Sequence, residues 1–449
     1  MKIRLTVLFV LALANTSRSQ SAMTLQECID YALNNNAQVK NAHLSHDMSK
    51  ARVKEFLADG FPQVSAYADL GNNFKIPTTF IPAQIFDPTA PEGELVGVQF
   101  GSQYNGRATV DLTQMIFSGS YFVGLKATKT YTELSRKDLA ASEIDVMASV
   151  KKAYYSVLVN QDRLSLVGRN FGRLDSLLRQ TKLMYENGFA EKIDVNRVQV
   201  SYNNILNAKR NAELAVSISY ELLKFQMGMP VGEQLLLSDN LTSIELQVLS
   251  DDYSKDFAYS NRVEYSKMIV NQELVGLDIK NTSVQYLPKL DFYGTYGASY
   301  GTSLFDSFVA FGENWRSFGT YGVRLSVPIF DGLRKSSTVQ QKRLQERQIE
   351  NSLGLLRNQI DMERSQALAT LDKAVEVLES QKENMDLAEE VFRVSNVKYQ
   401  QGVGSNMEVI DADASYKEAQ SNYISSLFDA LMATVDVEKA HGRLVPQSH

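Results

Sequence analysis

The chain has 449 residues, a formal net charge of −6 and one cysteine. Its acidic balance repels phosphate and disfavours a nucleic-acid partner, and a lone cysteine forms no intrachain disulfide. The histidines are His43, His46, His441 and His449; they offer one i, i+3 pair without a third ligand, and the glycine-rich stretches lack P-loop and nucleophile-elbow context, so no metal, cofactor or catalysis is expected.

In chain order, MKIRLTVLFVLALANTSRSQ sets Lys2 and Arg4 before an apolar run from Leu5 to Ala14, then small residues at Ser17 and Ser19. That is the layout of a secretory signal peptide over residues 1–19. Its removal takes away Lys2, Arg4 and Arg18, so the exported chain is more acidic still. Cys28 follows bulky polar Gln26 and Glu27 well past the apolar run, which does not suit a lipid anchor and reads as a half-buried helix residue. Beyond the signal no run reaches the ~18 to 20 apolar residues of a spanning helix. A membrane crossing by this chain would have to use strands.

A helix over 24–60 leads into a predicted strand hairpin over about 62–118, where Val64, Ala66, Ala68 and Leu70, then Ala108, Val110, Leu112 and Ile116, repeat an apolar phase on one face. Its loop, KIPTTFIPAQIFDPTAPEGE, is proline-rich and reads as neither strand nor helix. A second helix, 256–286, leads into a second hairpin over about 288–330, with Leu290, Phe292, Tyr296, Ala298 and Tyr300 on one face and Tyr321, Val323, Leu325, Val327 and Ile329 answering. Strands of about ten residues with one apolar face suit a membrane barrel with a wet lumen, and equally a soluble sandwich edge. Nine aromatic residues from Tyr293 to Tyr321, Phe308 and Phe311 among them, crowd the ends of the second hairpin like an interfacial girdle and favour the barrel. Two hairpins are too few to close one, so several chains would pool them.

Each hairpin is followed by a long proline-free helix, 119–187 and 332–401. Val167, Phe171, Leu174, Leu178 and Tyr185 keep a coiled-coil spacing, as do Leu371, Val375, Leu378 and Met385. Glycine-broken turns end both helices, at about 187–191 and 402–405, and a returning helix follows each. The turn YENGFAEKIDVNRVQVSY, from Tyr185, recurs as YQQGVGSNMEVIDADASY, from Tyr399, with Glu408 where Asp194 stood. Ser405 and Glu408 are spaced as a capping box, and Glu408 and Asp411 lie on one helix face. The chain thus reads as two copies of one design, 20–230 and 256–449, joined by a mixed linker at 231–255.

The stretches TLQECIDYALNNN, FLADGFPQVSAYADLG with QYLPKLDFYGTYG, QMIFSG with PIFDG, and the two turns, in this order and duplicated, resemble the TolC-like outer-membrane efflux protein family over nearly the whole exported length. The resemblance implies a mixed α and β fold. In it a homotrimeric outer-membrane β-barrel, four strands per chain, is continuous with a long periplasmic coiled-coil barrel. It implies an exit duct whose partners are outer-membrane lipids, a periplasmic adaptor (membrane fusion protein) and an inner-membrane transporter of RND, ABC or MFS type. By the same resemblance Gly188, Gly402, Val403 and Gly404 meet the adaptor, Glu408 and Asp411 constrict the periplasmic mouth, and Tyr399 and Asp194 restrain it. The arginine that the family carries just after the turn glycine is Gly404 here, and its partner site near Asp194 is Ile193, so the family's closed-state lock does not carry over residue by residue. The alternative is an exported coiled-coil scaffold or adhesin whose hairpins are soluble.

Overall fold

The structure, a computed structural model, describes residues 22–239, 241, 257–305 and 315–445. The signal peptide, most of the 231–255 linker, Phe308 and Phe311 lie outside these residues. In chain order the elements are α1 (Leu25–Asn35), α2 (Ala37–Ala58), β1 (Gln63–Asn72), β2 (Thr78–Pro82), β3 (Leu95–Gln99), β4 (Tyr104–Phe117), α3 (Gly119–Glu186), α4 (Lys192–Met227), α5 (Val263–Val284), β5 (Lys289–Thr302), β6 (Arg316–Ser326), α6 (Arg334–Gln400) and α7 (Asn406–Ala440). The described residues fall into two compact units, one within 47–134 and 270–350, the other within 22–46, 135–269 and 351–445.

The first of these units holds an antiparallel sheet in the order β1-β4-β5-β6, with β1 and β6 at its edges. Because partners across a ladder share a face, the registers sort the side chains. Ala66, Val110, Tyr296 and Gly319 form one row, and Val64, Leu112, Gly294 and Tyr321 the next. Across all four strands this face carries no Asp, Glu, Lys or Arg, and Tyr296 and Tyr321 on it are 67% and 83% exposed. The other face holds Asp69, Arg107, Asp111, Asp291, Arg316 and Arg324. There Thr295 donates to Asp111 at 2.5 Å, and Arg324 lies over the Tyr293 ring at 5.0 Å.

Two expectations are corrected in this unit. The proline-rich loop contains a small hairpin, β2 paired with β3, because its prolines flank the β-branched run: Pro77 precedes β2 and Pro82 ends it. The last strand stops at Ser326, short of Val327 and Ile329, since Pro328 has no N–H to continue a ladder.

The other unit is helical. Among the described residues no helix is long and apolar enough to cross a membrane. Its core gathers Tyr154, Leu223, Leu427 and Leu431 with Cys28, Ile29 and Ala32 of α1. Cys28 is fully rather than half buried, and burial, with Asp239 and Glu27 adding to it, pushes its thiol up to about 12. Leu174, Leu178, Leu371 and Leu378 are buried as their spacing predicts, whereas Tyr185 is exposed because it lies in the last turn of α3. Lys151 with Glu438 at 2.5 Å, Lys152 with Asp436 at 2.5 Å and Lys439 with Asp145 at 2.7 Å tie α3 to α7.

Helix 24–60 is broken at Asn36, another correction. Asn36 is extended, donates its amide to the Gln226 carbonyl at 2.7 Å, and accepts from the Gln38 N–H at 2.7 Å as a fresh cap. Nor does the second leading helix begin at 256: α5 starts at Val263, after Arg262 is held extended by the Ala440 carbonyl at 3.0 Å and Glu363 at 2.9 Å.

Candidate functional site

The two turns that join α3 to α4 and α6 to α7 are built alike. Gly188 and Gly402 have φ of +82° and +75°, the left-handed region that lets a glycine close a helix. Gly188 N–H reaches back to the Tyr185 carbonyl at 3.0 Å and Phe189 N–H to Met184 at 2.8 Å; Gly402 N–H reaches Tyr399 and Val403 N–H reaches Lys398, each at 3.0 Å. No atom lies within 4 Å of where a Cβ would stand on either glycine. Gly404 differs: a Cβ there would stand 3.0 Å from the Lys398 side chain and 3.1 Å from the Tyr399 nitrogen. A side chain at that position would be tight, and its neighbours would have to give by a few tenths of an ångström. At each tip an apolar side chain points into solvent, Phe189 and Val403, both 79% exposed. Phe189 had no place in the motif reading, since a single aromatic after a glycine has no pattern of its own.

Beyond the turns the returning helices begin with caps. Asp194 accepts from the Glu191 N–H at 3.2 Å and lies 3.5 Å from Arg197. Ser405 accepts from the Glu408 N–H at 3.2 Å, one arm of the expected capping box. Glu408 and Asp411 are both exposed. The Tyr399 hydroxyl lies 3.8 Å from Met184 Sδ, which joins α6 to α3, and burial, followed by the charge of Asp194, raises its phenol above the usual value.

A polar cluster that the sequence did not disclose lies one turn further along α7. Asp413 is buried, 3.6 Å from Arg173 of α3 and paired with Lys417. Arg173 donates to Asn170 at 2.6 Å, and buried Asn170 donates to buried Gln420 at 2.9 Å. The guanidinium lies 4.9 Å from the Phe392 ring and 5.1 Å from that of Tyr416. No local signal marks these residues, because the partners are far apart in the chain.

A sheet with one uncharged exposed face, and long helices that end in glycine turns, are the features of an outer-membrane channel protein. The model of the family described as "Outer membrane efflux protein" matches residues 28–229 and 258–443, and the chain belongs to that family. The outer membrane protein TolC of Vibrio cholerae is 21% identical over 437 residues, covering 97% of this chain and 94% of that protein. Among solved structures, VceC of Vibrio cholerae has a TM-score of 0.67 at 13% identity, covering 93% of this chain and 96% of that one. CusC has a TM-score of 0.71 at 12% identity, covering 93% and 91%.

Proposed function

We propose that three copies of this outer membrane efflux protein close their sheets into one barrel and set their helices beneath it as a periplasmic tunnel. Through this duct, substrates handed over by an inner-membrane transporter and a periplasmic adaptor leave the cell. The observation that carries the reading is the exposed sheet face without a charged residue, facing away from the charged one. Lipid accepts such a face, and a water-filled lumen accepts the other. Strands β1 and β6 have open edges that hydrocarbon does not tolerate, and a ring of copies closes them. Each copy is two repeats of one design, residues 20–230 and 256–449 about the 231–255 linker, and the family match in two stretches supports this.

In this assembly Gly188, Gly402, Val403 and Gly404 lie at the free ends of the helical hairpins, where the adaptor docks. Glu408 and Asp411, exposed on one face of α7, gather in threes around the axis as an acidic constriction, with Tyr399 and Asp194 restraining it. The transporter class, RND, ABC or MFS, is set by the adaptor that the tips accept. The structural neighbour CusC, which forms a transmembrane channel, agrees with this role.

Cell fractionation followed by cross-linking tests the reading. The protein is expected in the outer membrane as a trimer that resists salt and urea and dissociates only on heating in detergent. Release by urea as a monomer would instead support a peripheral scaffold or adhesin.

A further inference from the structure

We infer that Arg173 positions the acidic face of α7, acting on it from behind; this rests on the constriction proposed above. Asp411 and Asp413 are two residues apart, hence about 200° apart around the helix. Asp411 is exposed while Asp413 is buried, so the bond that fixes Asp413 sets the direction in which Asp411, and Glu408 one turn before it, project.

One guanidinium holds that direction. Arg173 of α3 lies 3.6 Å from Asp413 and is bonded through Asn170 to Gln420, so it grips α7 at two points separated by about two turns. It also rests against Phe392 of α6 and Tyr416 of α7, whose rings stack with centroids 6.1 Å apart. A cation over aromatic faces adds its own attraction. Three helices therefore meet at one side chain, just above the mouth. The Arg173 Nε is buried without a hydrogen-bond partner, a cost accepted where the rings enclose it.

Removal of this cation need not unfold the site. Loss of one partner of a buried ion pair is costly when it strands the other charge; here Lys417 remains paired with Asp413, so no uncompensated carboxylate is left behind. Methionine is suited to the gap between the two rings. The inference also has a sign that separates it from a charge effect. Loss of a positive charge near an acidic ring would by itself tighten the binding of a cation, whereas loss of position weakens it.

The test uses trimers of wild type and Arg173→Met in planar lipid bilayers, with hexaamminecobalt(III) added on the tip side. The expected result is a half-blocking concentration raised about fivefold and a larger resting conductance, with the heat resistance of the trimer unchanged; that shift corresponds to a coupling of about 1 kcal/mol between neighbouring groups. Unchanged or tighter block in Arg173→Met beside a blocked wild type overturns the inference and leaves the constriction standing. A wild type indifferent to the cation overturns both. Should Arg173→Met fail to assemble, Asn170→Ala, which breaks the link from Arg173 to Gln420 without changing any charge, is read in the same way, with weakened block expected and wild-type block contradicting the inference.

Discussion

The hydroxyl of Tyr154 donates to Asp239 at 2.8 Å, and the same carboxylate oxygen accepts from the Leu25 N–H at 3.0 Å. Asp239 thereby clasps the first turn of α1 to the middle of α3. Tyr154 is fully buried, and burial followed by its bond to Asp239 raises its phenol far above the usual value. Tyr154→Phe leaves the ring in place and is expected to cost about 1 kcal/mol, while Asp239→Ala, which strands the Leu25 N–H and leaves the Tyr154 hydroxyl only the Met23 carbonyl at 3.3 Å, costs about 2 to 3 kcal/mol. Denaturant midpoints of the two variants check the order, and equal midpoints would remove the clasp.

His441 supplies a pH dependence. Its ring is buried and bonded through Nδ1 to the Val437 carbonyl at 3.0 Å. Burial first, then the charges of Arg364, Arg443 and Arg262, hold the imidazole below its usual 6.5. An unfolded chain therefore takes up a proton below about pH 6.5 that the folded one refuses, and stability falls as pH drops through that value while staying level above pH 7. His441→Gln is expected to flatten this slope. Denaturant midpoints at pH 5.5 and 7.5 measure it, and an identical slope in the variant contradicts the assignment.

Much of this fold is legible in the sequence because its signals are local. Proline-free heptads set the ends of α3 and α6 to within two residues, and period-2 alternation places β1, β4, β5 and β6. What escaped depends on partners distant in the chain: the break at Asn36 answers Gln226, and the start of α5 answers Ala440 and Glu363. At the mouth the same division holds. Glycines at 188 and 402 announce their turns, since little else adopts a left-handed φ. Arg173 and Asp413 look like ordinary surface charges until α3 and α7 are brought together.

The tips separate backbone strain from partner contact. Space around the Cβ positions of Gly188 and Gly402 is open, so a side chain meets only the cost of a left-handed φ, about 1 kcal/mol. Gly188→Ala and Gly402→Ala are expected to assemble and export nearly normally, whereas the Trp variants assemble but lose adaptor copurification and export. Wild-type copurification with both Trp variants would remove the docking role.

The central claim is a conducting duct with an acidic mouth at the helical end, and one-sided block of single channels tests it most directly. Wild-type trimers in a planar bilayer are expected to conduct in discrete, cation-favouring steps, blocked by hexaamminecobalt(III) from the tip side alone, with Glu408→Gln/Asp411→Asn raising the half-blocking concentration about tenfold or more. No discrete steps, or equal block from both sides that the double variant leaves unchanged, would contradict it.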